Sequence, residues 1–325
     1  MKIALLFLLI IQSGHGQDDC PVRCRCEKNV TVVLCHEPLF EFPVLPSRVE
    51  HLDLSGANLG PALGPRYLYL PSLKYLDLSH NGLVNISHSS FRGFVRLEYL
   101  KLSNNYLRGL PSNIFCDNTN LKVLDISDNL FRVMPDAIFR SLENLEVFSI
   151  RNNKLKILHL GPRWQVSRKL KKLDFSLNNF WNISQNAFEF TSDLKFLDVS
   201  KNKLRYIQTN AFKYLVQLQR LNLAQNSLNI NSRDLVNILR PLKSLLEFRL
   251  SYNHMTEINS TVFNPAQKLE KIFLNGNNFT TFSSTFFNEL NHLQFLNVSD
   301  NPFVCDCDLL EFRLWLEEIM ISKFN

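Results

Sequence analysis

Glycine and proline are scarce in this 325-residue chain, at 10 and 13 copies, and no low-complexity tract interrupts it. That argues against a disordered or linker-rich polypeptide. Charge of one sign is also modest: the formal net charge of +6 falls short of the dense basic character of a dedicated nucleic-acid binder. After the first residues, no apolar run approaches the roughly 20 residues of a membrane-spanning helix. No Ser/His/Asp constellation, HExxH motif, Gly-rich phosphate loop or metal-spaced histidine cluster occurs, and the eight histidines are scattered. Catalysis therefore has no anchor in the sequence, the expectation is a non-enzyme, and no catalytic, cofactor or metal residue is assigned. What is abundant points elsewhere. There are 56 Leu, 35 Asn and 26 Phe, a skew expected when one short unit is written many times. The cysteines number seven, an odd count.

The first residues read as an address. Lys2 precedes an apolar run from Ile3 to Ile11, and small residues stand at Gly14 and Gly16. Nine apolar residues rise about 14 Å as a helix, far short of the roughly 30 Å hydrocarbon core of a bilayer. The pattern predicts a signal peptide over residues 1–16, with cleavage before Gln17. An exported chain lets its cysteines be read as disulfide formers.

Leu73, Leu76, Leu78, Asn81 and Leu83 recur as Leu97, Leu100, Leu102, Asn105 and Leu107, then as Leu121, Leu124, Ile126, Asn129 and Phe131. Eleven copies start at Val49, Leu73, Leu97, Leu121, Leu145, Leu170, Leu194, Leu218, Leu245, Leu269 and Leu293. Eight of the ten steps are 24 residues; the step from Leu145 is 25 and that from Leu218 is 27. The pattern LxxLxLxxNxL at this period is the leucine-rich repeat signature. Its physics predicts an α/β solenoid, a curved horseshoe with a parallel sheet on the concave face and an irregular or short-helical convex side. In each LxL core the leucines point inward and the residue between them, such as Asp77, faces out. The asparagine follows the strand where the chain turns, and its amide both donates and accepts to satisfy buried backbone groups. Copy one carries Ala57 there, so the ladder of amides is expected to start one repeat late.

Eighteen residues after each first leucine stand Phe91, Phe115, Phe139, Phe188, Phe212, Phe263 and Phe287, with Tyr67 in copy one. These aromatics are expected to form a spine behind the core. The two copies of irregular length carry Arg163 and Val236 instead, and their loops are expected to bulge from the convex side. Cys116, beside Phe115, is expected to be a buried free thiol.

Open-ended stacks need caps. Residues 17–48 hold Cys20, Cys24, Cys26 and Cys35, which read as two disulfides sealing the repeats of residues 49–300; four thiolates around zinc are the alternative. Residues 301–325 open a rear cap in which Cys305 and Cys307 precede Leu309, Leu310, Phe312, Trp315, Leu316 and Ile319, spaced as an amphipathic helix that would cover the last repeat.

The CxxxCxC front cap, the 24-residue repeats and the NPFxCxC opening of the rear cap together resemble extracellular leucine-rich repeat receptors, Toll-like receptor ectodomains above all. Slit-like guidance proteins and neuronal adhesion receptors share the same pieces. The resemblance runs from Cys20 to Asn325 and is specific for the architecture rather than for one member. It implies pairs Cys20–Cys26 and Cys24–Cys35, and a rear cap with two further cysteines that this chain does not supply. It also implies a membrane span and a cytoplasmic signalling domain in a full-length form, and dimerisation of the receptor. The expectation is a fragment of a longer receptor, secreted or on the outer side of the plasma membrane; the other reading is a short secreted form. No cofactor is expected.

Sequons at Asn29, Asn85, Asn182, Asn259, Asn278 and Asn297 are consistent with glycosylation. Asn297 takes an outward strand position, where a glycan would keep a protein from that end of the concave face. The outward positions also change in charge. Copies one to four present Glu50, Asp53, Asp77, Glu98, Asp125 and Asp128 against Lys74, Lys101 and Lys122. Copies five to nine present Arg151, Lys171, Lys172, Lys195, Lys201, Arg220 and Arg249 against Glu146, Asp174, Asp198 and Glu247. From Arg151 to Lys172 there are eight basic residues and no acid, Lys169 among them. A solvated basic face explains such a run; the functional reading is a contact with an anionic protein, glycan or microbial ligand. Tyr75, Tyr99, Phe196 and Phe295 also point outward, as contact anchors scattered along the arc.

Overall fold

The structure, a computed structural model, describes residues 20–39, 42–64, 70–158, 160–161, 164, 167–259, 261–282, 290–304, 309–315 and 317. The expected signal peptide, Tyr67, Arg163, Phe287, Cys305, Cys307, Leu316 and Ile319 lie outside them. Each of the eleven repeats supplies one three-residue strand: His51–Asp53, Tyr75–Asp77, Tyr99–Lys101, Val123–Asp125, Val147–Ser149, Lys172–Asp174, Phe196–Asp198, Arg220–Asn222, Glu247–Arg249, Lys271–Phe273 and Phe295–Asn297. They pair parallel in chain order, each residue opposite its counterpart in the next repeat. The front cap extends the sheet to 13 strands: Val32–Leu34 pairs parallel with His51–Asp53 and antiparallel with Arg25–Glu27. Among the described residues no helix is long and apolar enough to cross a membrane.

Strands this short persist because the turn after each is built, not merely tolerated. Asn129 is 3% exposed. Its Nδ2 donates to the carbonyls of Ser127 (2.9 Å), Leu102 (3.0 Å) and Ile126 (3.2 Å), while its Oδ1 accepts from Leu107 N–H at 2.9 Å. The same bonding recurs from Asn81 to Asn301, whereas Ala57 is simply buried, so the ladder starts in copy two as the sequence implies. The residue just before each ladder position has positive φ in all eleven copies, including His80 (57°), Asp128 (53°), Leu177 (57°) and Tyr252 (54°). A left-handed conformation costs a non-glycine residue about 1–2 kcal/mol. Bonds such as Asp128 N–H to Arg151 C=O (2.8 Å), made from this residue to the next repeat, offset it.

Behind the strands, Leu76, Leu78 and their counterparts up to Leu274 are buried, with Leu296 and Val298 of the last repeat partly so; each fully buried one is worth about 1.5–3 kcal/mol of apolar transfer. The phenylalanine spine is buried as well, with ring centroids 5.7 Å apart at both Phe91–Phe115 and Phe188–Phe212. Adjacent strands lie about 4.8 Å apart.

Several expectations need correction. The spine is not broken in the irregular copies. Trp164 is fully buried and stacked on Phe139 at 3.7 Å, and Leu239 is fully buried at the corresponding place in the longer copy. The extra residues enter before the spine position, so both sites lie six residues before the next repeat. In the longer copy they form the helix Ser232–Leu239, capped by Asn231, whose side chain accepts from Asp234 N–H at 2.9 Å. Cys116 is exposed rather than buried, because the turn that sends Phe115 inward sends its neighbour out. Asp77 faces the concave side but is only 5% exposed, covered by neighbouring side chains. Leu310 in the rear helix is 53% exposed and lies off the covering face; Phe312 is buried there against Phe282 (5.3 Å) and Trp315 (5.9 Å). At the front, Cys20 is bonded to Cys26 and Cys24 to Cys35, with Cys35 and Val33 fully buried beneath them.

Candidate ligand surface

The sheet register turns outward residues into columns. The first strand position runs His51, Tyr75, Tyr99, Val123, Val147, Lys172 and Phe196, and on to Phe295; the third includes Asp53, Asp77, Lys101, Arg249, Phe273 and Asn297. Aromatics that are far apart in sequence therefore meet. The His51 imidazole stacks on Tyr75 at 4.0 Å and 2°, and Tyr75 lies 6.3 Å from Tyr99. Farther along, Arg220 sits over Phe196 at 5.2 Å, Arg249 sits over Phe273 at 4.1 Å, and Phe273 lies 4.9 Å from Phe295. The outward aromatics are thus gathered into clusters and not scattered singly along the arc.

The first cluster has a polar base. Tyr75 hydroxyl donates to Asp77 Oδ2 at 3.2 Å, and Lys101 Nζ lies 3.2 Å from the same carboxylate. Burial works against an ionised Asp77, but the Ser79 hydrogen bonds and the Lys101 charge outweigh it and hold the carboxyl below its usual range. Lys101 is pushed above the usual lysine value by the Tyr75 hydroxyl, against the opposing effect of burial, and then by Asp77. Burial lowers His51 and raises Tyr75. At neutral pH the cluster is thus a neutral imidazole and phenol above a closed ion pair, with Tyr99 41% exposed at its edge. Beside it, Lys74–Glu50 (2.9 Å) and Lys122–Glu98 (2.8 Å) neutralise one another.

The basic run does not form one patch. Residues 151–172 make nearly one whole coil, so its two ends leave the strands on opposite edges. Arg151 follows its strand and donates to Ser176 Oγ at 3.2 Å. Lys169 and Lys171 precede the next strand, donating to Asn144 Oδ1 (2.6 Å) and pairing with Glu146 (2.9 Å). Lys172 stands on the concave side and Lys195 precedes its strand in the column of Lys171, with no ion pair to Lys172 or Lys195 among the described residues. A depression of about 280 Å³ opens farther along, lined by Lys201, Asn222, Gln225, Arg249, Tyr252 and Phe273 among others. Gly276 leaves room for the Tyr252 ring, with which a Cβ at that position would collide. His51, Tyr252 and Phe273 carry no motif of their own, and only the repeats aligned as columns show that they belong to this face.

The sequons are spread over the fold. Asn29, Asn85, Asn259 and Asn278 are exposed, Asn182 is half-buried, and Asn297 is half-buried on the concave side opposite Phe273.

The family profile "Leucine rich repeat" matches residues 47–107, 71–131, 119–163, 168–228 and 243–303. Trophoblast glycoprotein of Macaca fascicularis is 31% identical over a stretch covering 23% of this chain and 25% of that protein. Among solved structures, a chain of the octameric complex of Latrophilin 3, Unc5D and FLRT2 (LRR) superposes with a TM-score of 0.66 at 22% identity, covering 92% of this chain and 89% of that one. A chain of the TLR13–ssRNA13 complex superposes with a TM-score of 0.54 at 22% identity, covering 83% of this chain and 49% of that one. At such identity the likeness is one of fold. This chain spans a quarter of the curated relative and about half of the TLR13 chain.

Proposed function

Because this chain belongs to the leucine-rich repeat family, a fold that serves protein interaction, we propose that it acts by binding, as the ligand-binding part of a Toll-like innate immune receptor on the outer side of the plasma membrane. The observation that carries this reading is the concave face, a continuous 13-strand sheet that presents outward side chains in fixed columns. The His51–Tyr75–Tyr99 cluster supplies aromatic anchors, with His51 stacked on Tyr75 and the Tyr75 hydroxyl held by Asp77, so little order is lost there on contact. Two disulfides at the front and six sequons support an extracellular setting. Signalling would come from receptor dimerisation through parts outside this chain. A protein, a glycan or a microbial molecule would occupy the surface.

A second reading has its own support. The chain in the Latrophilin 3, Unc5D and FLRT2 complex matches this one over nearly its whole length, which fits a cell-adhesion, guidance or matrix protein of similar size. Sequencing the transcript beyond codon 325 separates the two. A spanning helix followed by a Toll/interleukin receptor domain supports the first; immunoglobulin or fibronectin modules support the second. An immediate stop contradicts the receptor reading and leaves a secreted binding protein.

A further inference from the structure

The edge of the solenoid just past the ladder carries a second surface, independent of the concave face. In repeats three to seven, the four residues after each ladder asparagine (106–109, 130–133, 154–157, 179–182 and 203–206) include six basic residues and no acid. These are Arg108, Arg132, Lys154, Lys156, Lys203 and Arg205, all exposed. Among the described residues none of them is in an ion pair. The nearby acids are occupied, Asp128 by Asn152 Nδ2 at 2.6 Å and Asp136 by the Trp164 indole N–H at 3.0 Å. Backbone bonds fix this edge from repeat to repeat: Lys154 N–H donates to Phe131 C=O (2.8 Å), Lys203 N–H to Phe180 C=O (2.9 Å) and Arg205 N–H to Trp181 C=O (3.0 Å). The cations therefore form a line, about 20 Å long at the strand spacing.

We infer that this edge binds a sulfated polysaccharide lying along the solenoid. Unpaired cations on a rigid line match a flexible polyanion, because each contact releases condensed counterions. The uncharged residues in the line distinguish the polymer. Val133 and Ile157, 77% and 68% exposed, give apolar surface for the C–H face of a sugar ring but no ring on which a base could stack. Trp181 and Tyr206 are also exposed, yet stand edge to face at 76° and are not a platform for successive bases. Sequons at Asn85 and Asn182 occupy the same edge in repeats two and six and leave repeats three to five clear between them.

The test is salt-dependent binding of heparin by the secreted, glycosylated chain. The four cations of repeats three to five, clear of the Asn182 sequon, at about 0.7 each in the log–log slope predict a fall of about 50-fold in affinity between 50 and 200 mM salt. Replacing Arg132, Lys154 and Lys156 by Gln reduces that to about 3-fold, whereas replacing Lys172 on the concave side together with Lys171 and Lys195 before the strands leaves it unchanged. The single change Lys156→Gln, at an exposed side chain, carries the test if the triple variant does not fold and lowers the slope by about 0.7. Absence of heparin binding, equal loss in both triple variants, or binding of a single-stranded RNA of equal length as tight as that of heparin would each overturn the inference.

Discussion

Replacing Asn129 by Ala tests how the repeat turn is held. The change removes three donated bonds and one accepted bond, and leaves Leu107 N–H and three carbonyls in a site that is 3% exposed. The carbonyl of Ile126 also accepts from Asn153 Nδ2 at 3.2 Å, that of Leu102 from Asn105 Nδ2 at 3.0 Å and that of Ser127 from Asn104 N–H at 3.1 Å, so all three keep a partner. The net loss is then carried by the Leu107 N–H, at about 1–3 kcal/mol for a buried unsatisfied donor. We expect a destabilisation of about 2 kcal/mol in urea unfolding followed by far-UV circular dichroism. Asn301→Ala is the internal comparison. It makes the same kind of bonds, but at the partly exposed end of the stack, where water replaces them. Its cost should be less than half as large. A cost below 0.5 kcal/mol for Asn129→Ala, or equal costs at the two positions, would refute the reasoning.

Four further outcomes are expected. Trp164→Ala should cost about 3–5 kcal/mol, and Trp164→Phe clearly less, because a ring on Phe139 is kept while the bond to Asp136 and the space of the second indole ring are lost; thermal unfolding of both variants checks this. Removing the Cys24–Cys35 bond should cost about 3 kcal/mol and removing Cys20–Cys26 about 2, since the separations are 11 and 6 residues and loop-closure entropy grows with length; equal costs would count against that ordering. Asp77, whose folded-state pKa is depressed, contributes stability that is present above the ordinary carboxylate value of about 3.9 and is lost as pH falls through the lower folded value. Asp77→Asn should therefore flatten the acid limb of a melting-temperature profile below the ordinary carboxylate range, and an unchanged limb would show that the Lys101 pair is not coupled to folding. Tyr99→Ala should cost no more than about 1 kcal/mol, because the residue stands at the surface and is 41% exposed, so any larger loss of ligand binding by this variant reads as contact and not as unfolding.

How far the molecule was legible in its sequence depends on where its information is periodic. Leu76, Leu78, Asn81 and Phe91 repeat at fixed spacing, so strands, ladder and spine could be read directly. Trp164 and Leu239 were missed as spine residues because positions were counted forward from each first leucine, across the inserted residues; counting back from the next repeat places both. The left-handed position left only a partial compositional trace: Gly56, Asn104, Asp128, Asn152, Gly276 and Asp300 suit it, but His80, Leu177, Lys201, Gln225 and Tyr252 occupy it too. There the bond to the next repeat, and not residue preference, decides the conformation. The surface was less legible still. Neighbours in sequence from Arg151 to Lys172 are carried around a coil to opposite edges, whereas neighbours in space such as Arg132 and Lys156 stand a full repeat apart. Charge read as runs along the chain therefore missed the edge stripe, and only the stacked register assembled it.

The central claim is that the amide ladder fixes the register that turns scattered residues into binding surfaces. Hydrogen exchange of the secreted chain measures it directly, at the N–H groups of Leu107, Phe131, Leu155, Phe180 and Leu204, each of which donates to a ladder Oδ1. These amides should exchange as slowly as those of the central strands, only on opening of the stack. Exchange at the rate of exposed residues such as Asp117, Thr119 and Asn120 would show that the turns are not held by the ladder, and the columns would lose their basis.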